Sequence, residues 1–193
     1  MEKLKRLLLW LRRCGYSRGF GIQSPWAYQF VRYVINEHYP YYSYETLKKV
    51  LPEMDWLERK MSELYFRLAN FRQPRQILYY GNDLQSFTTY CKNGCNRSEV
   101  LAVDKSIMKS IPAIEMLCVN SRDDYQEIVE SALPLADSDS MMVIENLYES
   151  KDSRKFWQKI VSDDRTGIVF DLYYCGIIFF DKKRYKEKYI INF

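Results

Sequence analysis

The sequence predicts an α/β fold in which a mostly parallel sheet carries helices on its faces and a block of helices precedes it. Three observations lead there. Short β-like runs at 75–80, 99–103, 115–119, 140–145 and 166–172 alternate with helix-like segments at 84–92, 123–132 and 151–162 and a turn-like piece at 106–112. Such alternation is the pattern of βαβ units. The apolar repeats before Pro74 instead have helical spacing. After Thr166 three β-rich runs follow one another with no helix between them, so the sheet is expected to finish antiparallel. Residues 1–73 are therefore read as a helical prelude packed on the core, and 74–193 as the α/β domain. With 193 residues the chain can bury one sizeable core.

The elements follow in order. Leu4, Leu7, Leu8 and Leu11 recur at helical spacing with Lys and Arg on the other face, which makes the first helix amphipathic. Such a helix packs on its own domain, meets a second subunit or lies on a membrane surface. The first two are the commoner fates, so a homo-oligomer or protein partner is expected through the N-terminal helices. Ser24 and Pro25 start the next helix, with Ser as N-cap and Pro at the first helical position. Phe30, Val31 and Val34 continue its apolar stripe. The tyrosine-rich turn around Tyr39 to Tyr44 leads to a helix with Ser43 as the expected cap. Pro52 interrupts it. Met54 to Phe71 reads as a long amphipathic helix with Trp56, Leu57, Met61, Leu64 and Leu68 apolar.

Composition narrows the function. Hydrophobic residues make up 47% and charged ones 28%, a globular balance. The net charge of +4 sits at the ends. Residues 1–20 carry six basic side chains against one acid, and 181–193 carry five against two. A mildly acidic body with basic ends is not the basic patch or stripe of a nucleic-acid-binding domain, so nucleic acid is not an expected partner. Five cysteines without a C-x-x-C pair, and one histidine, His38, give neither a zinc site nor a disulfide framework. Cys118 and Cys175 lie in apolar runs and read as small core residues. The apolar run Leu7 to Leu11 is too short for a signal peptide, and no run approaches the roughly 20 residues of a membrane span. A cytoplasmic location is expected.

Open α/β sheets bind ligands at the carboxyl ends of their strands. The first strand runs into Gly81-Asn82-Asp83-Leu84-Gln85. The second ends on Asp104, 23 residues after Gly81, where a carboxylate can accept hydrogen bonds from both ribose hydroxyls. The third ends at Asn120-Ser121-Arg122-Asp123 and the fourth at Glu145-Asn146. Each polar residue has a structural alternative, because Asp and Asn at strand-to-helix turns also cap the helix that follows. The ordered set is more specific than any one member.

Two segments carry a resemblance. "GIQSPWAYQFV" resembles the Gly-Ile-His-Ser-Pro-Phe opening of a bacterial family of class I S-adenosylmethionine-dependent methyltransferases, close to the catechol-type O-methyltransferases in layout. "SRKFWQKIVSDDRTGIVFDLYYCGIIFF" resembles that family's closing helix and hairpin. The likeness covers nearly the whole chain and implies a Rossmann-like methyltransferase fold with S-adenosylmethionine as cofactor. It also implies a chain shortened by about one βα unit, since only about fifteen residues separate Asp104 from Asn120. Cofactor-binding positions carried over from the family are Gly81, Asp83, Asp104 and Asn120. The match fails where function concentrates. Tyr79 stands in place of the loop acid, and Asp83 and Gln85 stand in place of glycines whose bare backbone makes room for the cofactor. Magnesium-using relatives hold the metal with an Asp and an Asp-Asn pair, which here read Asn120, Glu145 and Asn146. One carboxylate and two amides are a thin magnesium set, so no magnesium is expected.

Two functions are consistent with these residues. One is a degenerate, non-catalytic pseudo-methyltransferase that acts by binding, its pocket filled by Tyr79, Asp83 and Gln85. The other is an active O-methyltransferase on a small acceptor, lined by tyrosines 39–44 if the acceptor is aromatic, in which catalysis is largely positioning. Joint loss of the loop acid, the loop glycines and a metal carboxylate favours the first. No general base stands out.

Overall fold

The computed structural model describes every residue except Met1, His38, Pro40 and 121–123, and leaves the side chains at 2–6, 17 and 18 undescribed. The prelude contains α1 (Glu2–Arg13), α2 (Pro25–Phe30), α3 (Tyr42–Val50) and α4 (Trp56–Arg72). Ser24 caps α2 by accepting from the Ala27 amide at 3.3 Å. A π-type turn, Val31–Ile35, prolongs that helix. The expected cap at Ser43 is displaced by two residues, because α3 starts at Tyr42 and Tyr41 occupies the N-cap position without a side-chain bond. Asp55 and Glu58 form a capping box that opens α4, Asp55 Oδ1 accepting from the amides of Leu57 and Glu58 at 2.6 and 2.8 Å. Gln73 closes α4 in the left-handed conformation, at φ 52°.

The sheet has seven strands: β1 (Gln76–Tyr80), β2 (Glu99–Ala102), β3 (Ile114–Val119), β4 (Ala136–Glu145), β5 (Val169–Asp171), β6 (Cys175–Phe179) and β7 (Lys188–Ile190). They lie in the order β2-β1-β3-β4-β6-β5-β7. The first four are mutually parallel, and β6 is antiparallel to both β4 and β5. The last run departs from an antiparallel finish. Leaving β6, the chain passes β5 to reach the far edge, where β7 pairs parallel to β5. Helices α5 (Leu84–Gly94), α6 (Lys105–Met108), α7 (Tyr125–Ala132) and α8 (Lys151–Ser162) connect the strands. Between β2 and β3 the chain forms α6 and no strand, so β2 is left as a sheet edge. That is the shortening by one βα unit.

Strand side chains alternate between two cores. On one face Ile77, Tyr79, Met116, Cys118, Val143 and Phe170 pack with Phe30, Val31 and Val34 and with Leu64, Tyr65 and Leu68 of α4. On the other, Leu78, Leu117, Val119, Met142 and Ile144 pack with Ile128 and Val129 of α7 and Trp157 and Ile160 of α8. Fully burying one such large apolar side chain contributes roughly 1.5–3 kcal/mol. The two segments that carry the family resemblance are part of this packing. Trp26 stacks on Phe30 at 5.6 Å and meets Phe179 edge-on at 5.0 Å. The Trp157 indole lies against Gly176, where a Cβ would overlap its ring. Its Nε1 donates to Asp171 Oδ2 at 3.2 Å.

Asp171, at the end of β5, is fully buried. Arg13 donates to its Oδ1 at 2.9 Å and to its carbonyl at 3.0 Å. Tyr148 donates to Oδ2, and the Tyr173 amide to Oδ1 at 3.1 Å. Burial pushes the carboxyl's pKa up, but the hydrogen bonds from Tyr148 and Arg13 outweigh it and hold it below the ordinary value.

Candidate functional site

The turn after β1 is where the sequence placed a cofactor loop. Tyr79, in the position of the family's acid, turns its ring into the core and stacks on Phe87 of α5 at 4.1 Å. Its phenol folds back over Gly81, so that a Cβ at Gly81 would overlap it. Gly81 is not in the left-handed region; it is bare because the tyrosine needs the space. The Asp83 amide hydrogen-bonds the phenol oxygen, while burial and the neighbouring Glu145 push its pKa up. Asp83 Oδ1 accepts from the Ser86 amide at 3.0 Å and so caps α5 with an anion from the chain itself.

Beside this turn lies a cavity of about 290 Å³. Tyr79, Asp83, Ser86 and Phe87 line it from the loop and α5, Asn120 and Glu145 from the ends of β3 and β4, Met54 and Asp55 from the turn before α4, and Leu57, Glu58, Met61, Ser62 and Tyr65 from one side of α4. Its described lining holds four carboxylates, Asp55, Glu58, Asp83 and Glu145, and no Lys, Arg or His. Burial pushes the Glu145 carboxyl up to about 7, against a hydrogen bond donated by Tyr65 that pulls it down. Tyr65 comes from the middle of α4 and is itself raised well above the ordinary tyrosine value, by burial and by Glu145. Glu145 and Tyr65 are thus a half-buried acid and its buried donor, supplied by two distant segments. Sequence reasoning missed Tyr65, whose place on the α4 stripe looks the same as that of its core neighbours.

The structure gathers Asp83, Asn120 and Glu145 around one cavity, with Gly81 behind the Tyr79 ring. It leaves Asp104 and Asn146 outside the lining. Asp104 caps α6: Oδ1 accepts from the Ser106 hydroxyl at 2.6 Å and from the amides of Ser106 and Ile107 at 2.7 and 2.8 Å. The bond from the Ser106 hydroxyl is the main reason its pKa lies below the usual carboxylate value. Asn146 is a turn residue at φ 60°, with its amide bonded to the Tyr174 carbonyl at 3.0 Å. Tyr41 and Tyr44 pack on Phe66, Tyr39 and Tyr42 are exposed, and none of these tyrosines lines the cavity. His38 and the positions 121–123 lie outside the described residues. Among the described residues, no group of three His, Cys, Asp or Glu side chains could hold a metal ion. Nor is any helix among them long and apolar enough to cross a membrane.

No family model matches the chain, and no curated protein matches it in sequence. Solved structures do match. The SAH-bound methyltransferase PaMTH1 of Podospora anserina superposes with a TM-score of 0.56 at 12% identity, over 87% of this chain and 98% of its own. The O-methyltransferase of Bacillus cereus in complex with SAH gives 0.51 at 15%, over 77% of this chain and 96% of its own. At these identities the likeness is one of fold. The chain has the α/β fold of the class I S-adenosylmethionine-dependent O-methyltransferases.

Proposed function

We propose that this chain is a cytoplasmic methyltransferase-fold protein that does not hold S-adenosylmethionine in the usual pose and acts by binding rather than by methyl transfer. The observation that carries this is the Tyr79 phenol folded over Gly81, which fills the space that a glycine-rich loop leaves open. Two further features support it. Asp83 caps α5, the helix end that would otherwise offer free amides to a ligand carboxylate. A cavity lined by four acids and no described base offers the carboxylate of a methionine moiety no cationic partner. On this reading Asp83 and Asp104 are helix caps, and Asn120 and Glu145 are walls of a cavity that neither cofactor nor magnesium enters.

One observation favours the second reading, an active O-methyltransferase. Glu145, at about 7, is poised as a general base facing the cavity. Asp104 would then bind ribose, Gly81 and Asn120 would flank the cofactor, and an acceptor hydroxyl would give its proton to Glu145. The test is incubation of the protein with labelled S-adenosylmethionine and a panel of catechols and phenols, with and without magnesium. The expected result is no labelled product. Transfer that disappears in a folded Glu145→Gln variant would establish the second reading instead.

A further inference from the structure

The first helix remains unexplained by either reading. Arg13 ties its carboxyl end to Asp171 and to the Ile191 carbonyl. Ahead of that tie, Leu7, Leu8, Trp10 and Leu11 are each more than half exposed. Phe20, on the turn that follows, is 84% exposed. Large apolar side chains crowded on one short helix need a cover.

Charge decides which cover fits. Residues 1–20 carry Lys3, Lys5, Arg6, Arg12, Arg13 and Arg18 against Glu2 alone. Placed on a wheel of 3.6 residues per turn, Leu4, Leu7, Leu8 and Leu11 form one stripe with Trp10 on its flank, and the basic residues share the remainder with the half-buried Leu9. A second copy of the same helix would bring two strongly positive segments within a Debye length of one another. An anionic bilayer surface removes that repulsion, receives the leucines and the indole at the headgroup boundary, and leaves the basic side chains beside the phosphates. We propose that α1 docks this protein, without spanning, onto an anionic lipid surface. Arg13 is engaged with Asp171, so it fixes the angle at which the helix is presented.

The test is co-sedimentation with vesicles of phosphatidylcholine alone and of phosphatidylcholine with about one-third phosphatidylglycerol, using the whole chain. Binding to the anionic vesicles is expected to be at least about tenfold tighter than to the neutral ones, to weaken about fivefold in Arg12→Gln, and to be lost in Leu7→Asp/Leu11→Asp. These side chains are exposed, so an unchanged melting temperature establishes that the variants are folded. Equal binding to both vesicles, or to neither, would overturn the proposal. So would a dimer in solution that the Leu7→Asp/Leu11→Asp variant dissociates, or saturable binding of an acidic protein that competes with the vesicles.

Discussion

At Glu145 burial and a hydrogen bond act in opposite directions, and burial prevails, leaving the carboxyl at about 7 instead of the ordinary 4.5. Its pH consequence has a definite sign. The folded chain holds this proton more tightly than the unfolded chain does, so stability falls as pH rises from about 4.5 to about 7 and is level above. The whole effect is at most about 3 kcal/mol. Glu145→Gln cannot ionise, yet it keeps an acceptor for Tyr65. Urea unfolding should therefore show the variant gaining stability relative to the parent between pH 5 and pH 8. Parallel pH profiles would contradict this. The sequence offered Glu145 as a strand-end candidate and as half of a poor metal pair, but nothing local in "VIEN" reveals the approach of Tyr65 from 80 residues away. The sequence offered Asp104 either as a ribose ligand or as a helix cap, and the three bonds on Oδ1 show the cap.

At the scale of elements, the helix that follows a strand was easier to read than the loop that joins them. Strand positions came from β-branched, aromatic and other apolar runs, and those runs place β1, β2 and β3 to within a residue or so, although only β1 and β3 are buried on both faces and the edge strand β2 is largely exposed. The first half of β4, Ala136 to Asp139, carried no apolar signal, and there its pairing with β3 is irregular. The loop after β1 was legible as a departure from the family, but not in its form. Nothing in "YYGND" tells that Tyr79 would turn inward onto Phe87 and claim the space above Gly81. That contact makes a prediction. Gly81→Ala should destabilise the fold by about 1–3 kcal/mol through overpacking. In a Tyr79→Ala background the same change should cost markedly less. A double-mutant cycle by urea unfolding measures the difference. Strict additivity would mean that the phenol is not what keeps residue 81 bare.

Over the whole molecule, the parts that identify the fold and the parts that would do chemistry are separate. The segments that carry the resemblance hold Ser24, Trp26, Trp157 and Gly176, and the structure uses all four for capping and packing. The buried Asp171 joins segments far apart in the chain: Arg13 from α1, Tyr148 from the turn after β4, Trp157 from α8 and Lys188 from β7. No sequence pattern could have foretold that convergence, since it depends on the order of the strands at this edge of the sheet. The same lock holds α1 at the surface with Leu7, Leu8 and Leu11 exposed. The measurement that bears most directly on the closed loop is a thermal-shift and calorimetric titration of the unmodified protein with S-adenosylmethionine and S-adenosylhomocysteine. A ligand present at 100 times its dissociation constant stabilises a fold by about 2.7 kcal/mol. With Tyr79 over Gly81, neither compound should shift the melting temperature or release heat at millimolar concentration. A saturable shift with either, abolished by Asp104→Ala, would contradict the closed loop.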